Sequence, residues 1–265
     1  MPKIKVDDID MYYEIHGEGF PLLMIMGLSA NTDWWTDDLI ESLAEDFKVI
    51  IFDNRGAGKT KNTDRDFSIK MLADDTVGLM DALNVEKFHL FGISMGGMIA
   101  QEVTINYSER VNKLILGCTH CGGSKQILPS QEVIDILSRP RENISPEELI
   151  DGTIELLYTR DFIKSNPEFI EDYKQDLLKS PISPDSFERQ IKAIMSFNTG
   201  MKLKKITCST LIIHGKKDVL IPYQNSEILN KRIENSKVIL LDDSGHSFFQ
   251  PNPEKVINYI KEFLK

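Results

Sequence analysis

EKFHLFGISMGGMIAQ, residues Glu86 to Gln101, decides how the rest of the chain is read. Phe88 to Phe91 is a short apolar run. The chain then passes through Gly92-Ile93-Ser94-Met95-Gly96-Gly97 into a stretch of helical character. Glycines two before and two after a serine are the pattern of a strand that turns into a helix within one residue. That turn imposes strained backbone angles on the serine and brings neighbouring backbones so close that only residues without Cβ fit. Ser94 is thereby a nucleophile candidate. The N–H of Met95 opens into the same space from a helix N-terminus, where partial positive charge favours an anion. With glycine at about 7% of residues, the three fixed positions recur by chance in about one chain in ten of this length, so the pattern needs support from elsewhere. The plainer alternative is a Ser94 hydroxyl that caps the helix by accepting a free N–H.

Outward from this stretch, strand and helix signals alternate. Ile4 to His16 reads as two short antiparallel strands with a tight turn at Asp7-Asp8. Pro21 to Met26 is a continuous apolar run, as in a strand buried on both faces, and ends in a loop from Gly27 to Asn31. A helix is predicted over Thr36 to Asp46 and a strand over Lys48 to Phe52, followed by Asp53-Asn54-Arg55-Gly56-Ala57-Gly58. Ser68 to Leu83 is a helix pattern capped by Ser68, and Val111 to Cys118 a further strand. From there to Lys204 only helical patterns occur: Gln131 to Ser138, Pro146 to Tyr158, Pro167 to Lys179 and Pro184 to Phe197. Strands at Ser209 to His214 and Lys237 to Leu241 and helices at Tyr223 to Arg232 and Glu254 to Leu264 complete the chain. The expected architecture is α/β, a mostly parallel sheet of about eight strands with helices on both faces. Its core comprises residues 1–121 and 205–265, with an inserted helical lid over 122–204.

Composition narrows the function classes. At 265 residues, 41% hydrophobic and 27% charged, the chain is an ordinary globular protein long enough for one large core. A net charge of −10 without a Lys/Arg cluster argues against nucleic acid as a partner. No apolar run approaches a membrane span, so no membrane insertion is expected. Three cysteines, Cys118, Cys121 and Cys208, suit a reducing, cytoplasmic setting. Cys118-Thr119-His120-Cys121 has C-x-x-C spacing but no second ligand pair and no helix directly after it, so we expect core-lining thiols and no metal.

A serine attacks carbonyls only with a base to take its proton and a carboxylate to orient that base. Of the five histidines, His16 and His89 lie within strand patterns, His120 in the cysteine stretch and His214 at a strand end, all readable as structural. His246 lies in Asp242-Asp243-Ser244-Gly245-His246-Ser247-Phe248-Phe249, a loop between the last strand and the last helix, where a proton shuttle is at home. Asp218 holds the equivalent place after the preceding strand, in His214-Gly215-Lys216-Lys217-Asp218. Asp242 and Asp243 are the alternative acids, disfavoured because a side chain in the same short loop must fold back to reach His246. Ser94, Asp218 and His246 stand at the carboxyl ends of three strands, where ligands bind in such sheets, and in the chain order serine, acid, histidine.

Five ordered motifs (Met26-Gly27, Asp53 to Gly58, the Gly92 to Gly97 turn, His214-Gly215 to Asp218, and Gly245-His246) make the chain resemble the α/β-hydrolase superfamily over almost its whole length. Within it, the chain resembles the cofactor-free carboxylesterases and the branch of non-haem haloperoxidase-like enzymes and enol-lactonases. The resemblance implies Leu28 N–H beside Met95 N–H as oxyanion donors. It also implies a structural role for Asp53 and Arg55. Relatives usually carry His-Gly where this chain has Met26-Gly27, which leaves Ser29 as the alternative to Leu28. Trp34, Trp35, Met195, Phe197 and Phe248 are candidates for an apolar substrate wall. The implied activity is cofactor-free hydrolysis of a small-molecule carboxylic ester through an acyl-enzyme. Lactone, C–C bond and perhydrolysis chemistry on the same triad are alternatives, as is a non-catalytic binding module. Self-association into a homo-oligomer is left open.

Overall fold

The computed structural model describes residues 2–61, 64–139, 141 and 144–265. Its centre is β5 (Phe88–Ile93), in which every residue is buried because the sheet is covered on both sides. Around it the sheet runs β1 (Lys3–Val6), β2 (Ile9–His16), β4 (Phe47–Phe52), β3 (Phe20–Ile25), β5, β6 (Val111–Gly117), β7 (Ser209–Gly215) and β8 (Ser236–Leu241). β1 and β2 are antiparallel to each other, β2 is antiparallel to β4, and every pairing from β4 to β8 is parallel. The turn between β1 and β2 falls at Asp7-Asp8, with Asp7 in the left-handed region at φ 47°.

Side-chain alternation along the strands divides the core into two layers. Leu23, Ile25, Ile50, Phe52, Leu90, Leu114 and Ile212 pack with residues of α2 (Ile69–Ala82), α3 (Met95–Asn106) and α9 (Gln224–Arg232). Leu22, Met24, Val49, Ile51, Phe91, Ile115 and Leu211 pack with α1 (Asp37–Ala44) and α10 (Pro253–Leu264). Each such side chain taken out of water stabilises by about 1.5–3 kcal/mol. α2 starts where the Ser68 hydroxyl accepts the Met71 N–H at 3.1 Å.

Between β6 and β7 lie α4 (Gln131–Ser138), α5 (Pro146–Leu157), α6 (Arg160–Ser165), α7 (Pro167–Leu178) and α8 (Pro184–Ser196). α5 opens with Pro146 behind a Ser145–Glu148 capping box. Ile150, Ile154, Leu157, Tyr158, Ile170, Tyr173 and Leu177 form a separate apolar cluster within this insert, floored by the stacked Tyr158–Phe162 rings at 5.1 Å. α8 differs: Ala193 and the following Phe197 join the α3 side of the main core. α6 has no counterpart among the predicted helices, because six residues give too few turns for an apolar period to show. No helix among the described residues is long and apolar enough to cross a membrane.

Candidate active site

Ser94 sits between β5 and α3 at φ 57°, ψ −120°, a conformation that costs a non-glycine residue about 1–3 kcal/mol. The glycines around it are steric necessities. A Cβ on Gly92 would lie 2.2 Å from the Gly96 carbonyl oxygen, and one on Gly96 would lie 2.1 Å from that of Ile25. The turn is tied from below, Ser94 N–H donating to Gly117 O at 2.9 Å and the Thr119 hydroxyl to Ser94 O at 2.8 Å. The Ser94 side chain makes no capping bond to α3, so the helix-cap alternative fails. Its neighbour across the sheet edge is Gly27, where a Cβ would come within 3.0 Å of Ser94 Cβ.

Gly27 begins the loop after β3, a turn closed by Ala30 N–H onto Gly27 O at 3.3 Å. Ser29 occupies the left-handed region at φ 67° and donates its N–H to Gln190 Oε1 at 2.9 Å. Of the two backbone donors considered for this loop, Ser29 is therefore engaged. The N–H groups of Leu28 and Met95 have no acceptor among the described residues.

Asp218 and His246 meet from the loops after β7 and β8, although 28 residues separate them, with His246 Nδ1 donating to Asp218 Oδ2 at 2.7 Å. Asp218 Oδ1 accepts the N–H groups of Leu220 and Ile221, both at 2.9 Å. His214 Nε2 lies 3.0 Å from Asp218 Oδ2 and 2.8 Å from Ile221 O. Both are pure acceptors, so His214 carries its proton on Nε2, and its Nδ1 accepts from the Ser226 hydroxyl. Burial alone would raise the Asp218 pKa, but the charge of His246 and the hydrogen bonds from the two imidazoles outweigh it and hold the carboxyl well below the usual range. The result is a buried carboxylate that fixes the His246 tautomer, leaving Nε2 as the basic nitrogen. Ser94 Oγ makes no hydrogen bond among the described residues. Contacts of this kind are often long in free enzymes and tighten in the complex. Asp242 and Asp243 are 75% and 80% exposed and pair with Lys216 and Lys217, which removes them as alternatives to Asp218.

Around this set, Cys118 directly follows β6 at φ 42°, and burial together with the adjacent Asp218 charge pushes its thiol pKa well up, so it stays a neutral S–H. Donor atoms of Cys118, His214 and Asp218 lie within 4.8 Å of one another, a set able to hold a metal ion. Both His214 nitrogens and both Asp218 oxygens are already engaged in internal bonds. His120 accepts the Gly122 N–H on Nδ1 at 3.0 Å, and burial with the nearby His214 and His246 pushes its pKa down to about 4, keeping it neutral. Asp53 accepts the N–H groups of Thr32 and Lys59, and Arg55 forks onto Asp75 while bridging to Asp8. Both are buried framework residues.

The aromatic candidates separate. Trp35 and Phe248 are buried in the α1/α10 layer, Trp35 against Phe91 and Phe249, and Phe248 against Gly117; they are core rather than substrate wall. Phe197 is buried against the α3 layer, 6.3 Å from the His120 ring. Met195 is 79% exposed, on the face of α8 opposite its buried stripe, so it meets solvent. Trp34 stands edge-on to Tyr173 at 6.4 Å and bridges the insert and the core. Two open grooves of about 290 and 310 Å³ lie beside α1, lined by residues such as Thr36, Asp37 and Phe169, with none of Ser94, Asp218 or His246 in their walls. His214, read from the sequence as structural, is found supporting Asp218, whereas Gln190 was not singled out. A histidine ending an apolar strand and a glutamine inside the apolar stripe of α8 are the signals each carried.

A mostly parallel sheet with serine, acid and histidine at three strand ends is an α/β scaffold of the hydrolase type. The α/β hydrolase fold family matches residues 21–145. The chain is 26% identical over 259 residues to a putative carbamate hydrolase RutD of Pseudomonas savastanoi, covering 96% of this chain and 98% of that one. It is 29% identical over 245 residues to a poly(3-hydroxyalkanoate) depolymerase of Ectopseudomonas oleovorans, covering 92% and 84%. A thermophilic esterase from Thermogutta terrifontis superposes with a TM-score of 0.85 at 27% identity over 99% of this chain and 97% of that one. An enol-lactonase from Burkholderia xenovorans superposes with a TM-score of 0.88 at 20% identity over 99% of both chains. The chain belongs to the α/β-hydrolase superfamily.

Proposed function

We propose that the protein is a serine hydrolase that cleaves carboxylic esters of small or medium acyl groups through an acyl-enzyme. The observation that carries this reading is the 2.7 Å bond from His246 Nδ1 to a buried, ionised Asp218, in a fold whose strained turn presents an uncapped Ser94 hydroxyl. His246 Nε2 takes the Ser94 proton as Oγ bonds to the ester carbonyl carbon. The carbonyl oxygen becomes an oxyanion held by the N–H groups of Leu28 and Met95. The tetrahedral intermediate expels the alcohol, protonated by His246, and leaves the acyl group on Ser94; water activated by His246 then releases the acid. Every step uses side chains and backbone groups of this chain, and residues 122–204 act as the lid over the site. Three free thiols fit a reducing cytoplasm.

A carbamate is the second substrate class, favoured by the end-to-end similarity to proteins named as putative carbamate hydrolases. Its carbonyl would be attacked by the same groups. The test is labelling by a fluorophosphonate probe together with hydrolysis of p-nitrophenyl acetate. Wild-type protein is expected to be labelled and active, and Ser94→Ala to be neither while keeping its fold. Folded wild-type protein that resists the probe and leaves esters untouched refutes the reading. A panel of acyl esters, lactones and carbamates then ranks the substrate classes.

A further inference from the structure

The Ser29 N–H, in the loop after β3, finds its acceptor 161 residues away, on the insert: Gln190 Oε1, at 2.9 Å. Gln190 is fully buried on α8, between Phe187 and Ala193 on the same stripe. Its Nε2 is buried without a partner, so the Ser29 bond is the side chain's sole polar contact among the described residues. A non-glycine residue at φ 67° is held in the left-handed region against about 1–2 kcal/mol, here by the turn bond from Ala30 N–H to Gly27 O together with the bond to Gln190. The Met26 side chain is buried apolar surface, and Asn54 reaches only the Met26 carbonyl, at 3.3 Å. Fixing the peptide between Leu28 and Ser29 fixes the backbone of Leu28, whose own N–H is the free one.

The insert grips the same region twice more. Asn31 Nδ2 donates to Ser180 O at 3.1 Å, and Ser186, in the first turn of α8, lies so close to Gly56 that a Cβ there would come within 2.8 Å of the serine hydroxyl. α8 is therefore seated on the loops that follow β3 and β4.

We propose that Gln190 is a positioning residue that sets the oxyanion loop: through the Ser29 N–H it holds Leu28 N–H toward Ser94, so a complete oxyanion site exists only while α8 is docked. The inference rests on the serine-hydrolase reading above and adds the residue through which the insert controls the rate. A donor that works only on the tetrahedral species affects the chemical step and not ground-state binding. Deleting one oxyanion donor costs about 10²- to 10³-fold, so a donor left in place but loosened should cost about 10- to 100-fold.

Three variants test this. Gln190→Met keeps length and bulk and removes the acceptor; it also removes a buried unpaired N–H group, so the fold should survive. Gln190→Asn keeps the amide but is too short to reach Ser29. Gln190→Glu keeps an acceptor in place. With active sites counted by fluorophosphonate titration, Met and Asn variants should lower kcat by about 10- to 100-fold with KM within about twofold. They should also weaken inhibition by an alkyl trifluoromethyl ketone, whose adduct with Ser94 Oγ carries an oxyanion, by the same factor. Gln190→Glu should recover most of both. Unchanged kcat in the Met and Asn variants, or a rise in KM alone, overturns the role, as does a Glu variant no better than Met. Wild-type protein that is inert to probe and ester overturns the hydrolase reading and this inference together; an active wild type with an indifferent Gln190 overturns this inference alone.

Discussion

Replacing Asp218 by asparagine exchanges one side-chain oxygen for an amide nitrogen and should disable the site. The introduced amide's carbonyl would have to face the N–H groups of Leu220 and Ile221, which hold Asp218 Oδ1 at 2.9 Å from the backbone and cannot turn away. The NH2 group would then point at His246 Nδ1 and His214 Nε2, the two imidazole nitrogens that now share Oδ2 at 2.7 and 3.0 Å. The opposite rotamer sets donors against two fixed backbone donors and is worse. Imidazoles can exchange tautomers where backbone cannot, so His246 would accept on Nδ1 and carry its proton on Nε2, the nitrogen that must receive the Ser94 proton. A wrong-tautomer base of this kind costs about 10⁴-fold in kcat, about 5.5 kcal/mol of transition-state stabilisation. His214 would be forced off Ile221 O as well, leaving a buried carbonyl short of a donor at about 1–3 kcal/mol of stability. The assay is p-nitrophenyl acetate hydrolysis by titrated enzyme, with thermal melting to follow the fold. Activity within about tenfold of wild type would refute the tautomer argument, since no orientation of asparagine reproduces the carboxylate's two faces.

Gly96→Ala should lower the melting temperature by several degrees and reduce kcat, because its Cβ meets the Ile25 and Met26 carbonyl oxygens at 2.1 and 2.7 Å and must push α3 off β3; overpacking of this kind costs about 1–3 kcal/mol, and an unchanged melt would contradict the close approach. Acid unfolding supplies the remaining prediction. Asp218 has its folded pKa depressed below the unfolded value of about 3.9, so its stabilisation is present above that pH and lost as pH falls below it. Wild-type urea midpoints should therefore drop more steeply below about pH 4 than those of Asp218→Asn, and parallel curves would contradict an ionised, buried Asp218.

What was legible in the sequence followed from how locally each feature is determined. β5 and β3 are covered on both faces, so unbroken apolar runs marked them, and Pro21 to Met26 differs from the observed Phe20–Ile25 by one residue at each end. Ser94, Asp218 and His246 could be singled out as candidates because each lies at a strand end within a few residues of a glycine that the backbone geometry demands. The choice between Leu28 and Ser29 could not be made locally: it depends on an acceptor 161 residues away. The apolar wall was misread for a related reason. Composition says that Met195, Trp35 and Phe248 are apolar, but only the phase of α8 and the packing of the loops say which way they face. Met195 lies five residues beyond Gln190, about 140° around the helix at 100° per residue, and so on its outer side.

The glycines and the insert also divide the work of assembling the site. On the sheet side, close approach builds permanent contacts: Gly96 lies against the Ile25 carbonyl, and Gly215 against those of Ser244 and Gly245, each leaving no room for a Cβ. Those contacts seat the Ser94 turn on the end of β3 and the start of the His246 loop on the end of β7. On the other side, the insert reaches the same machinery through individual hydrogen bonds and one close approach, a Cβ on Gly245 falling 2.8 Å from Leu157 O. Leu157 O accepts the Ser247 N–H at 2.9 Å next to His246, and Gln190 Oε1 accepts the Ser29 N–H next to Leu28. A single hydrogen bond has a net worth of about 0.5–1.5 kcal/mol, whereas a backbone clash at 2.1 Å admits no alternative arrangement. The sheet-side geometry is therefore fixed by the fold, and adjustment is concentrated in the oxyanion loop, which the insert holds at Ser29 by one bond. Variation in the insert should accordingly tune rate and substrate choice while leaving the Asp218–His246 pair intact.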